Sequence, residues 1–255
     1  MRKIIIKKTI IGENNPKICV PVMGTTVQEI VEKTKEALKY PVDIIEWRSD
    51  FFKDVLNIDS DIEVLSLMQD IVGDVPILFT FRSKGEGGEK DIDADQYTAL
   101  LSDIISSEEV DMIDVEYLMG VDAVKTLVVQ AHNRYIPVMG SSHDFKGTPS
   151  VEDIYSRLVG MKVAGMDISK MAVMPNCHMD VIKLLEATCM IKEKNPDILA
   201  VTMSMGEMGA ISRIAGHLFG SVMTFASAGV SSAPGQLEVT QLRAILDNIN
   251  TNLSK

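Results

Sequence analysis

The chain has 255 residues, of which 46% are hydrophobic and 24% charged; this is enough apolar content to fill a large core and argues against disorder. Lys plus Arg number 25 against 36 Asp plus Glu, and the net charge of −11 argues against a nonspecific nucleic-acid binder or a protein held on anionic membranes. Any bound anion must therefore be met by local Arg or Lys.

At the N-terminus, MRKIIIKKTIIGENN is an apolar stretch broken by Lys7 and Lys8 with no small-residue cleavage site, so it reads as neither signal peptide nor anchor. Residues 1 to 15 are expected to form a hairpin of two extra strands capping one end of the fold. No run approaches the roughly 18 apolar residues of a membrane span. The three cysteines, Cys19, Cys177 and Cys189, show no CxxC spacing; they are expected in core or helix positions, in a reducing compartment such as the cytoplasm.

Eight short β-branched or Met-rich runs follow: ICVPVM at 18 to 23, DIIEWRSD at 43 to 50, PILFTFR at 76 to 82, DMIDVEY at 111 to 117, IPVMGSSHD at 136 to 144, ISKMAVMP at 168 to 175, ILAVTMS at 198 to 204 and SVMTFAS at 221 to 227. Most gaps between them carry apolar residues at helical spacing, such as Val27, Ile30, Val31, Thr34 and Leu38. Helix caps are expected at Thr25 or Thr26, Ser150 and Asn176. Eight strands alternating with helices predict a parallel sheet closed into a (β/α)₈ TIM barrel, which typically takes about 250 residues; a doubly wound open sheet is the alternative. With no linker or composition break, one domain over residues 1 to 255 is expected.

The chain lacks a GxGxxG after its first strand, and has no GxxxxGK[ST], HExxH or GxSxG, so nucleotide, zinc-protease and serine-hydrolase chemistry lose their main support. In a parallel barrel the chemistry sits at the carboxyl ends of the strands. Lys170 lies inside ISKMAVMP, where alternation puts it on one face with Ala172 and Met174. It is either a snorkelling surface amine or a desolvated nucleophile towards ketones. His143 ends the fifth run, where an acid/base would be mounted, although a lone His is commonly a satisfied core group. His132, His178 and His217 read as structural. Glu86, in the Gly-rich FTFRSKGEGG, could orient an imidazole.

DIIEWRSD places Glu46, Arg48 and Asp50 on one face, a dense charge set for a buried strand. It reads either as a self-paired cluster or as a site for hydroxyls and anions. Glu116 is similarly ambiguous, and Met203 and Met205 read as an apolar wall. Arg213, after the seventh run, suits a carboxylate or phosphate through bidentate geometry.

Taken in order, FRSKGEGG, SSHDF followed by TP, SKMAVMP, GxxxxISR and SSAPGQ resemble type I 3-dehydroquinate dehydratases, over essentially the whole chain. The resemblance implies a homodimeric (β/α)₈ barrel of the shikimate pathway that converts 3-dehydroquinate to 3-dehydroshikimate without metal or organic cofactor. It further implies an imine at Lys170, an acid/base at His143 oriented by Glu86, and a carboxylate grip by Arg213. Glu46, Arg48, Arg82, Ser232 and Gln236 would then meet the substrate's hydroxyls and carboxylate rim. Ser142 before the histidine and Tyr117 after DVE depart from the expected pattern and are expected to alter the pocket wall. A class I aldolase barrel, which shares the lysine imine, and a noncatalytic scaffold are the rival readings.

Overall fold

The computed structural model describes residues 2–13, 15–229 and 233–253. The expected hairpin is present: β1 (Ile4–Ile6) pairs antiparallel with β2 (Thr9–Ile11), and Lys7 takes the left-handed turn conformation between them. All eight predicted strands form, as β3 (Lys17–Val22), β4 (Ile44–Arg48), β5 (Ile77–Thr80), β6 (Met112–Glu116), β7 (Val138–Asp144), β8 (Ile168–Val173), β9 (Leu199–Ser204) and β10 (Met223–Phe225). They run parallel in the order β10-β3-β4-β5-β6-β7-β8-β9. A parallel bridge between Ala200 and Ser221 joins the two ends, with the Val222 N–H donating to the Ala200 carbonyl at 2.9 Å. The sheet is thus a barrel, and the open-sheet alternative is set aside.

The helices are α1 (Val27–Ala37), α2 (Ile58–Val72), α3 (Ala94–Ser107), α4 (Val121–Asn133), α5 (Val151–Val163), α6 (His178–Lys194), α7 (Ala210–Phe219) and α8 (Val239–Leu253). Thr26 caps α1, accepting from the Glu29 N–H, while Glu29 reaches back to the N–H and hydroxyl of Thr25. Both threonines therefore serve the helix start, in a reciprocal capping arrangement. Ser150 caps α5 as expected. Asn176 does not cap α6: Cys177 holds the cap position without a side-chain bond, and Asp180 reaches back to the Asn176 N–H at 2.9 Å. A carboxylate in the first turn has replaced the cap, stabilised by the helix dipole. Cys177 is exposed there, contrary to its expected core or helix placement, whereas Cys19 is buried and Cys189 half-buried within α6.

Strand alternation sorts the interior into layers. Cys19, Ile44, Leu78, Met112, Met139, Ile168, Leu199 and Met223, one from each barrel strand, pack together with Ile6 and Ile11 of the hairpin. The hairpin thus caps the bottom of the barrel with two buried side chains, each contributing about 1.5–3 kcal/mol of burial free energy. Two residues further along β4 to β8 the same face turns polar, with Glu46, Thr80, Asp114, Ser141 and Lys170 all buried, while β9 and β10 stay apolar there with Val201 and Phe225. The opposite faces, including Ile45, Trp47, Phe79, Ile113 and Val115, pack against the helices.

Candidate active site

The inward residues at the carboxyl ends of the strands line one pocket, formed by Glu46, Arg48, Arg82, Glu86, His143 and Lys170, with Arg213 and Gln236. Sequence alone brought every one of these forward. Ser232 lies outside the described residues. Met203 and Met205 supply the expected apolar wall, and Phe225 and Phe145 also line the pocket.

Lys170 stands on β8 beside Ser141 of β7, and two residues further along His143 pairs with Ala172. Its face is therefore the inner one, and its side chain is only 5% exposed, which removes the snorkelling alternative. Its Nζ rests 4.2 Å from the centre of the Phe225 ring, a placement that favours a positive charge on that nitrogen. Two carboxylate oxygens face it beyond hydrogen-bonding distance, Asp114 Oδ2 at 3.7 Å and Glu46 Oε1 at 3.8 Å.

Glu86 is delivered by the tight loop after β5. There Gly87 takes a φ of +86° and a Cβ on Gly88 would fall 1.8 Å from the Arg82 carbonyl oxygen; glycine is the residue that allows both. Glu86 Oε2 accepts from the His143 backbone N–H at 3.1 Å and lies 2.9 Å from His143 Nδ1. Burial holds the His143 imidazole well below its usual pKa, and the nearby cations Arg82, Lys170 and Arg48 push the same way. The ring is neutral, and Nδ1 is the donor to Oε2, leaving Nε2 with its lone pair as a base. Burial likewise raises the Glu86 carboxyl to about 8, against the opposing pull of Arg82.

Beneath them Arg82 ties three strands together. It donates to Asp114 Oδ1, Glu116 Oε1 and Ser141 Oγ, each at 2.9 Å, and Ser141 donates in turn to Asp114 Oδ1 at 2.6 Å. Burial disfavours its charge, but Asp114, Glu116 and Glu86 outweigh this and hold the guanidinium firmly protonated. Ser83 completes the set through its N–H and hydroxyl to Glu116. Arg48 forks onto Asp50 at 2.8 and 2.9 Å, and Thr80 donates to Glu46 at 2.9 Å. Self-pairing thus accounts for much of the charge in these segments, while Glu46, Arg48 and Arg82 still present surface to the pocket.

Arg213 differs from the other two arginines. It projects from α7 and not from a strand end, and is 2% exposed. Its contacts are Met203 Sδ at 3.6 Å and the Pro234 carbonyl at 3.2 Å, and its Nε has no partner. Burial lowers its pKa to about 10. No carboxylate among the described residues pairs with it. A buried guanidinium with unused donors is prepared for an anion.

Two expectations about the wall fail. Ser142 faces outward, toward Arg157, and Tyr117 sits on the outside with its hydroxyl against Gly160. Neither lines the pocket. Asp114 was overlooked, although it stands two residues before Glu116 on the same strand face; that spacing was the available signal. Of the other histidines, His132 is bonded to Asp167 at 2.8 Å and His217 lies in α7, both remote from the pocket.

The comparisons with known proteins point the same way. The family model for type I 3-dehydroquinase matches residues 18–252. A 3-dehydroquinate dehydratase from Clostridium botulinum is 43% identical, covering 99% of this chain and 100% of that protein. One from Salmonella choleraesuis is 42% identical, covering 96% and 98%. A crystal structure of type I 3-dehydroquinate dehydratase from Clostridium difficile with covalent modified comenic acid superposes with a TM-score of 0.95 at 45% identity, covering 98% of this chain and 99% of that one. With its barrel, its buried lysine and its match over nearly the whole length, the chain belongs to the type I 3-dehydroquinase family.

Proposed function

We propose that Lys170 attacks the ketone of 3-dehydroquinate and that His143 is the acid/base of the ensuing elimination. The overall reaction is that of the family, dehydration of 3-dehydroquinate to 3-dehydroshikimate in the shikimate pathway, a hydro-lyase activity (EC 4.2.1.10). Lys170 adds to the carbonyl and loses water to give a protonated imine. This electron sink acidifies the neighbouring C–H bond, and Nε2 of His143 removes that proton to leave an enamine. The enamine expels the β-hydroxyl, which leaves as water with the proton returned by His143. Hydrolysis of the product imine then frees Lys170.

The observation that carries this reading is a buried amine beside a neutral imidazole whose Nδ1 is engaged by Glu86. Arg213 grips the substrate carboxylate, while Glu46, Arg48, Arg82 and Gln236, with Ser232, meet its hydroxyls and carboxylate rim. Family membership sets aside the aldolase and scaffold readings. The test is borohydride reduction with 3-dehydroquinate followed by peptide mass mapping. A reduced adduct on Lys170 supports the mechanism; its absence from folded, substrate-exposed protein overturns it.

We further place the enzyme in the cytoplasm as a homodimer of single-domain chains. Among the described residues no helix is long and apolar enough to cross a membrane, and the three cysteines are free. Sedimentation equilibrium tests the dimer.

A further inference from the structure

We propose that Asp114, through its unshared oxygen, is the counter-ion of the protonated imine formed at Lys170; this deepens the imine reading above and rests on it. The two oxygens of Asp114 are in different situations. Oδ1 accepts from Arg82 and from Ser141, a structural duty that fixes the carboxylate. Oδ2 is fully buried, has no hydrogen-bond partner and lies 3.7 Å from Lys170 Nζ. A buried anionic oxygen without a donor is costly and calls for a cation.

The other groups facing that nitrogen do not fill the role. Glu46 Oε1, at 3.8 Å, already accepts from Thr80. Glu86 Oε2 is engaged by the His143 ring and backbone, and its Oε1, though also buried without a partner, forms no ion pair with Lys170, whose carboxylate neighbours among the described residues are Glu46 and Asp114 only. His143 is neutral, and Cys19, in the layer below, is kept as a thiol by burial. Arg48, Arg82 and Arg213 are cations that oppose a positive imine. Asp114 Oδ2 is thus the unfilled acceptor on the floor, aimed at the atom that becomes N–H⁺. As the electron sink works only while protonated, the counter-ion acts on the chemical step through Lys170; Asp114 is a positioning and electrostatic residue that does not touch the departing groups.

Asp114→Asn retains an acceptor for Arg82 and Ser141 but removes the charge. Wild-type enzyme is first trapped with borohydride to map the adduct. An adduct away from Lys170 would sink the imine reading, and the counter-ion with it. With the adduct on Lys170, the basic limb of the kcat profile in Asp114→Asn is expected to move to lower pH by about 1–3 units, the effect of losing an opposite charge at this range. Ser141→Ala, which removes the hydroxyl's contacts with Asp114 Oδ1 and Arg82 but no charge, is expected to leave that limb in place. Equal shifts in both variants, or none in Asp114→Asn, would overturn the counter-ion role. If Asp114→Asn does not fold, the C=N stretch of the wild-type imine decides. A stretch that moves on deuteration throughout the active pH range marks a protonated imine and supports the proposal; a neutral imine within that range overturns it.

Discussion

A single oxygen of Glu86 receives both the backbone N–H and the ring Nδ1–H of His143, at 3.1 and 2.9 Å. The ring is thereby fixed in position and in tautomer at once. Glu86→Gln preserves an acceptor but can equally offer its NH₂ to Nδ1, which would put the ring proton on Nε2. We expect kcat to fall by about 10²-fold with little change in KM, measured by steady-state formation of the conjugated product. An unchanged kcat would separate Glu86 from the proton transfer.

Lys170→Ala removes a buried amine on a barrel strand, and the ring of Phe225 and the wall of Met203 remain to hold the pocket. The variant is expected to fold, by circular dichroism, and to lose on the order of 10⁴-fold or more in turnover, as nucleophile deletions do. Residual activity near wild type would rule out the covalent route.

Arg213 is a buried cation without an acidic partner among the described residues, so its substitution is expected to act in opposite directions on binding and on stability. Arg213→Met should raise KM by about 10- to 100-fold, the loss of charged hydrogen bonds worth about 1.5–3 kcal/mol. The same change should raise the melting temperature of the substrate-free protein by relieving an uncompensated charge. A lower melting temperature would show that the guanidinium is structural.

Asp61, in the first turn of α2, has both carboxylate oxygens buried without partners. Burial raises its pKa from 3.8 to about 8, with Lys90 pulling against it. A folded-state pKa above the unfolded one means that the native protein holds a proton the unfolded chain has released, so stability falls as pH rises from about 4 to about 8. Asp61→Asn removes this loss. Urea midpoints for the variant should gain on wild type as pH increases from 4 to 8, and a gap that stays constant would refute the assignment.

Much of the fold was legible because strands buried on both faces read as short apolar runs, with polar residues entering at their carboxyl ends. Ile44, Glu46 and Arg48 step from the plugged bottom to the pocket mouth along a single strand, as do Met139, Ser141 and His143 on β7. Lys170 stands out in the sequence because a lysine within such a run either snorkels to solvent or is desolvated and nucleophilic. Asp114 escaped notice since a lone aspartate in DVE has the same appearance whether it caps a strand or sits at the floor of a site; only the three-strand bonding of Arg82 gives it meaning. Helix termini were less legible because neighbouring polar groups compete for the same N–H donors, as Asp180 does with Asn176.

The hairpin stopper has a consequence for traffic. With Ile6 and Ile11 filling the lower opening, the barrel is a vessel with one mouth. Substrate, both waters and the unsaturated product therefore share the opening at the carboxyl ends of the strands. On the proposed imine route, the water that hydrolyses the product imine has to arrive from the same side as the substrate did, because the hairpin closes the other.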